Sequence, residues 1–332
     1  MKKFILNNAA MLAATAFLAC GLTACSDDDG GGSNPQGPVA TYNGKLLTSV
    51  GNNVTLRYDD KGRCVEATAY NEKTLIDYEK GIITQGNISS AQLDGVEYRV
   101  TFNGAGYITS ISTNHNESED GYSYTVSGNS LFSYDGSGHL TGISTKYKEA
   151  AYGNGESYSY SENSNTIITW KNGQLASYTC KGEDIEDGDR SYYESVINFT
   201  AGNTDNKYNQ WTTAEEYGIM ETEGLGYAGL FGKGSSKLIS SYTETEKEDG
   251  EREHNATENF TFQLNDDGTI NSERIGNSYT RYYEYSSYND NNNSSKKAQG
   301  LRTKPEHKKN SVSFFDIHTR IESLKAKMKN TK

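Results

Sequence analysis

Leu131-Phe132-Ser133-Tyr134-Asp135-Gly136-Ser137-Gly138-His139-Leu140 decides the fold. A Phe and a Tyr, two residues apart, lead into a corner rich in Asp, Ser and Gly, and an aliphatic residue leads out. Glycine accepts positive φ at a tight corner, and Asp or Asn hydrogen-bonds the turn backbone. Apolar residues flanking the corner then meet across the two arms. The unit recurs at Leu56-Arg57-Tyr58-Asp59-Asp60-Lys61-Gly62-Arg63-Cys64-Val65, Val100-Thr101-Phe102-Asn103-Gly104-Ala105-Gly106-Tyr107-Ile108, Ile168-Thr169-Trp170-Lys171-Asn172-Gly173-Gln174-Leu175 and Phe262-Gln263-Leu264-Asn265-Asp266-Asp267-Gly268-Thr269-Ile270. Its turn glycines fall at 62, 106, 138, 173 and 268, the first four 44, 32 and 35 residues apart, close to two hairpins' worth of chain each. Roughly sixteen to eighteen short strands are expected over 40–288. The predicted fold is all-β: an antiparallel hairpin meander forming a strongly twisted sheet or partly closed barrel.

The arms alternate with period two. Leu46, Thr48 and Val50 share one phase; Val96, Tyr98, Val100 and Phe102 share another; Ser123 and Thr125 oppose Tyr122, Tyr124 and Val126. One face collects Tyr and the other Ser, Thr, Asn, Glu or Lys. Neither is the continuous apolar band that a lipid-facing barrel wall requires. Residues 203–238 interrupt the pattern. Thr212-Thr213-Ala214-Glu215-Glu216-Tyr217 has the form of a short helix start, with Thr212 or Thr213 as cap and acids in the first turn. Glycines 224, 226, 229, 232 and 234 follow among Leu225, Tyr227, Leu230 and Phe231. A long crossing loop plugging one end of the sheet is expected, with a mobile lid as the alternative.

Composition agrees with strands. Of 332 residues, 25 are Tyr and 34 Gly but only 3 are Pro. Mean hydropathy is low at −0.80, yet tyrosine rings supply apolar area that such scales underrate. Net charge is −12. Residues 289–332 hold 11 Lys/Arg against 4 Asp/Glu, a net +7, and residues 1–24 carry +2, so 25–288 carries −21. That acidity argues against nucleic acid as a partner. Of four cysteines, Cys64 and Cys180 lie in strand-like runs; a disulfide and two buried thiols are both open, and no CxxC metal pattern exists.

The N-terminus speaks of place. Lys2 and Lys3 precede the mostly apolar Phe4–Leu22, and Leu22-Thr23-Ala24-Cys25 closes it. This resembles a bacterial lipoprotein signal, cut before Cys25, whose thiol and new amino group are then acylated. An ordinary signal peptide cut elsewhere is the alternative. Ser26-Asp27-Asp28-Asp29 resembles the export signal of Bacteroidetes surface lipoproteins, with a solvated tether as the plainer reading. Gly30–Pro38 then reads as a flexible leash. The division is 1–24 signal peptide, 25–39 acidic and Gly-rich tether, 40–288 β-repeat domain, and 289–332 basic linker and amphipathic helix.

The repeats, followed by Leu230-Phe231-Gly232-Lys233-Gly234-Ser235-Ser236-Lys237-Leu238 and Tyr282-Tyr283-Glu284-Tyr285, resemble a Bacteroidetes lipoprotein family of unknown function. The resemblance covers about 40–288. It implies a porin-like β fold and brings no catalytic residues.

The tail has its own pattern. Ser313-Phe314-Phe315-Asp316 has the form of a capping box. Phe314, Ile317, Ile321, Leu324 and Met328 then make one stripe of a short C-terminal amphipathic helix. It reads as docked on its own domain or fraying, as a partner helix, or as a membrane-surface helix.

No catalytic constellation emerges, and no cofactor or metal is expected. Histidines 115, 139, 254, 307 and 318 are scattered, and His139, just after a turn glycine, reads as an exposed polar residue. Glu183, Asp184, Glu186, Asp187 and Asp189 lack EF-hand spacing and read as a solvated hairpin end, with Ca²⁺ as the sharper alternative. Trp170 and Trp211 read as packing residues, with sugar stacking as the alternative. The expected function is non-enzymatic binding of a glycan or envelope protein by a lipid-anchored outer-membrane lipoprotein displayed at the surface. The alternatives are a glycan-processing enzyme with an unidentified carboxylate pair, and an outer-membrane pore or scaffold.

Overall fold

The computed structural model describes residues 40–69, 72–87, 96–119, 121–153, 155–219, 222, 224–277 and 279–287. Cys25, the tether and the stripe over 314–328 lie outside them. The first six strands are short: β1 (Lys45–Val50), β2 (Val54–Tyr58), β3 (Cys64–Ala69), β4 (Glu72–Asp77), β5 (Ile82–Asn87) and β6 (Val96–Phe102). Six long ones follow: β7 (Ile108–Glu119), β8 (Tyr122–Tyr134), β9 (Leu140–Gly153), β10 (Glu156–Lys171), β11 (Gln174–Glu186) and β12 (Asp189–Asp205). After α1 (Thr213–Gly218) come long β13 (Lys237–Glu248) and β14 (Glu251–Leu264), then short β15 (Ile270–Ile275) and β16 (Tyr279–Ser287).

All sixteen strands are antiparallel to their neighbours, and β1 pairs with β16, with Leu47 opposite Tyr285 and Val50 opposite Tyr283. The sheet is therefore a fully closed barrel. Two expectations change. The 32- and 35-residue intervals between turn glycines each hold two long strands, one hairpin rather than two, because polar alternation extends the arms without punctuation. In β1 a bulge at Thr48 breaks the Leu46-Thr48-Val50 phase, so that Leu47 and Val50 face inward together.

The five repeat turns all lie on one end, here the lower rim. In four of them the corner is built identically. The N–H of Asp59, Asn103, Asp135 or Asn265 donates to the carbonyl four residues on, and the turn glycine's N–H donates back to that residue's carbonyl. Asp59, Asn103 and Asp135 also accept two backbone N–H groups each through their side chains. Gly62, Gly106, Gly138 and Gly268 have φ between 75° and 90°, and a one-residue bulge follows each corner's entry. The fifth, Asn172-Gly173, is a two-residue turn with φ of 54° and 73°. Asp187-Gly188 and Asp249-Gly250 make the same turn on the upper rim.

The inner face is apolar and aromatic toward the lower rim. On β8, Tyr124, Val126, Ser130 and Phe132 are buried, whereas Ser123, Thr125, Ser127, Asn129, Leu131 and Ser133 are exposed on the outside. On β10, Ser157, Ser159, Asn163, Asn165, Ile167 and Thr169 are likewise exposed. The outer wall of the long strands is thus hydroxyl- and amide-rich.

Residues 206–219, 222 and 224–236 fill the lower end of the barrel. Trp211, Leu225, Tyr227, Leu230 and Phe231 are at most 1% exposed, each contributing about 1.5–3 kcal/mol or more of burial. Phe231 packs on Phe132 and Trp211. The segment is tied to three rim turns: Ile108 N–H donates to the Leu230 carbonyl, Lys233 N–H to Gly138, and Ser236 N–H to Gly173. Helix α1 begins where Glu215 reaches back to the Thr212 N–H at 2.9 Å. Its Thr213 hydroxyl donates to Glu273 on β15, which also accepts the Tyr283 hydroxyl at 2.7 Å. Arg281 on β16 donates to Tyr217 and Tyr279. The segment is a plug, locked by buried polar contacts.

Candidate functional site

Two places on the long strands gather polar groups, one on each face. The outer one is a groove of about 460 Å³ near the upper rim, across β7–β11. Strand register builds it. Asn116, Thr125, Ala150 and Ser159 form one cross-strand row; Asn114, Ser127, Lys148, Ser161 and Ile185 form the next. Short Ser, Thr and Ala side chains leave the floor low. Val126, Glu149 and Tyr160 also line the groove, but these residues are buried on the inner side, so their contribution here is backbone. Asn114 and Asn116 form one wall, Ile185 the other, and Lys148 lies between. Tyr152, one row toward the rim and 54% exposed, flanks the groove. The outward side chains lining this groove include no carboxylate among the described residues.

The inner place is a set of carboxylates. Glu149, Glu162, Glu244 and Glu246 are buried on the inner face of β9, β10 and β13. Three follow a Tyr-x-Glu step, Tyr147-Lys148-Glu149, Tyr160-Ser161-Glu162 and Tyr242-Thr243-Glu244, because residues two apart share a face. Glu149 accepts the Tyr147 and Tyr158 hydroxyls. Glu162 accepts those of Tyr193 at 2.6 Å and Tyr160 at 3.4 Å. Burial, then the neighbouring Glu162, drives the Tyr193 hydroxyl far above the usual tyrosine range. At the plug, burial raises Glu215 to about 7, against the hydrogen bonds that favour its charge, and raises Glu273 as well.

Several residues singled out from sequence take structural places. His139 is buried, a correction to its exposed reading: its Nδ1 lies 3.0 Å from Asp135, and its ring stacks on Trp170 at 4.3 Å. The turn's own carboxylate folds the imidazole onto the neighbouring strand. Trp170 donates to the Leu140 carbonyl and Trp211 sits in the plug core, so neither offers a sugar platform. Glu183–Asp189 is the β11–β12 hairpin end; Glu183 pairs with Arg190. Cys64 and Cys180 are buried thiols on β3 and β11, not joined in a disulfide, and burial pushes Cys64 up to about 12. No cluster of three or more His, Cys, Asp or Glu residues fit to hold a metal occurs among the described residues.

The groove residues were not nominated from sequence. Their signal is the outward phase of β7–β10, a run of Asn, Ser, Thr and Ala, but which residues stand abreast depends on register across four hairpins. The Tyr-x-Glu steps are visible in the sequence itself, since residues two apart share a strand face.

No protein-family model and no curated protein matches the chain. Among solved structures, a porin-like protein from Bacteroides vulgatus is similar at 14% identity and TM-score 0.41, over 74% of this chain and 97% of that one. A porin-like protein from Bacteroides uniformis is similar at 18% identity and TM-score 0.39, over 70% of this chain and 88% of that one.

Proposed function

We propose that this chain is a non-enzymatic, lipid-anchored β-barrel of the cell envelope that binds a glycan in the outer groove of β7–β11. The observation that carries the reading is the groove itself: a low floor of hydroxyls, two amide side chains on one wall and an exposed tyrosine at its edge. Sugars present hydroxyls for the first two and an apolar ring face for the third. Lys148 favours a sugar bearing an acidic group. The polar outer wall supports display in water by a tether, with Cys25 as the acylated residue. It gives less support to a pore, since a lipid-embedded wall needs an outward apolar band and the plug fills the lower end. A glycosidase needs two facing carboxylates, and the groove's outward side chains supply none.

A glycan array probed with the mature chain tests this, with Ala150→Trp as the control that fills the floor. Retention of a defined glycan by the parent and its loss in Ala150→Trp is the expected result. Equal retention by both would remove the groove from the account. Mass spectrometry of the native N-terminus tests the anchor, with acyl chains on Cys25 as the expected finding.

A further inference from the structure

We propose that the upper lumen is a second site, one that takes a slender organic cation, a linear polyamine, on Glu244 and Glu246. The long strands sort charge by face. Lys146, Lys148, Lys171, Lys181 and Arg190 on β9–β12, and Lys247 on β13, all stand on the outer side by register. Lys181 and Lys247 both pair with Glu194 there. The inner side of the same strands carries Glu149, Glu162, Glu244 and Glu246, at 3–5% exposure.

The three Tyr-x-Glu steps are not equivalent. Glu149 and Glu162 each accept two tyrosine hydroxyls. Glu244 is 5% exposed, and its Oε1 is buried with no hydrogen-bond partner. A buried carboxylate oxygen without a donor is costly. Evolution tolerates such a cost where a ligand meets it. Glu246 is the next inward residue on β13 and half-buried Glu248 the one after, so three carboxylates climb one strand face toward the upper rim. Their spacing, about 6.6 Å from strand rise, suits ammonium groups repeated along a flexible chain. It does not suit one metal ion, which requires convergent ligands. Glu244 faces Ile197 on one neighbour and Ala256 on the other, and Glu246 faces Ser195 on one and His254 on the other; the small Ala256 and Ser195 leave room for the polyamine chain. Each ammonium group donates to a carboxylate while its methylenes lie along Ile197 and the tyrosine rings.

Isothermal titration of the mature chain with spermidine tests the site. Saturable binding is expected, weakened at least about tenfold by Glu244→Gln or Glu246→Gln, since a charge-assisted hydrogen bond contributes roughly that factor. Glu97→Gln, an exposed outward acid on β6, is expected to leave it unchanged. Fully N-acetylated spermidine, with its charges removed, is expected not to bind. Ala256→Leu keeps every charge and fills the space beside Glu244, so it too is expected to abolish binding, and it serves if the glutamine variants fold poorly. No saturable heat with spermidine would overturn the proposal. So would a loss in Glu97→Gln as large as in Glu244→Gln, or Ca²⁺ displacing the amine at comparable concentration. None of these outcomes depends on the outer groove, whose readout is glycan retention.

Discussion

The long arc, β7–β14, and the short arc, β1–β6 with β15 and β16, are built from the same hairpin unit and do different jobs. The short arc has strands of 5–9 residues that wrap the plug with Leu47, Val50, Val54, Leu56 and Ala67. The long arc has strands of 12–17 residues that rise past the plug. Its upper part has hydroxyls and amides outside and tyrosines with carboxylates inside. The lower end is therefore held by apolar burial together with the plug's buried polar contacts, and the upper end by cross-strand pairing and acids that accept tyrosine hydroxyls. Both candidate sites lie on the upper part, where the plug's packing demands are absent.

The sharpest way to break this contrast is to empty the plug. Trp211→Ala is expected to cost about 3–5 kcal/mol, the range for truncating a large buried aromatic, measured by denaturant unfolding. A loss under about 1 kcal/mol would mean the barrel stands without its plug.

A pH series separates the arcs next. Glu215 titrates near 7 in the fold and near 4.3 when unfolded. The folded state therefore holds the extra proton between those values, and stability falls as pH rises from about 4.5 to 7, by roughly 3 kcal/mol. Raised Glu273 acts with the same sign. Glu215→Gln keeps one acceptor for the Thr212 N–H but sets its amide nitrogen against the Ser235 N–H that the second carboxylate oxygen accepts; it is expected to lower stability at every pH and to flatten that slope in a melting series. An unchanged slope would show that the plug acids do not govern it.

A smaller effect is expected high on the long arc. A Cβ at Gly182 would sit 2.4 Å from the Tyr193 ring and hydroxyl, so Gly182→Ala displaces the tyrosine that donates to Glu162. The expected cost is about 1–3 kcal/mol, with a matching change in near-UV circular dichroism. Smallest of all, Asn129→Ala on the outer wall is expected to stay within about 0.5 kcal/mol. A large loss there would show that the outer hydroxyl and amide rows are structural.

The lower rim was legible in the sequence because its corners are local: Asp59, Asn103 and Asp135 each bond residues two and four along, so a ten-residue window contains the whole cause. Helix α1 and the plug were legible for the same reason, Thr212 and Glu215 being close neighbours in the chain. Ring closure was not, because Leu47 and Tyr285 carry no mark of each other. Strand length was misread where Ser, Thr and Asn continue an alternation without a turn residue. The groove was illegible because Asn116, Thr125, Ala150 and Ser159 become neighbours only through three registers. His139 misled because the stacking partner that buries it, Trp170, is far along the chain.

The pairing of β1 with β16 sets a condition on assembly. Until Tyr279–Ser287 reaches Lys45–Val50, the sheet has two raw edges, and a chain this rich in Ser, Thr, Tyr and Asn offers them to any passing strand. A chain stopped before Tyr279 would keep most of its hairpins and still lack a safe outline. The final short strand thus works as a clasp: it adds little surface to the ring, and it decides whether the two outermost strands are paired with each other or left open to another chain.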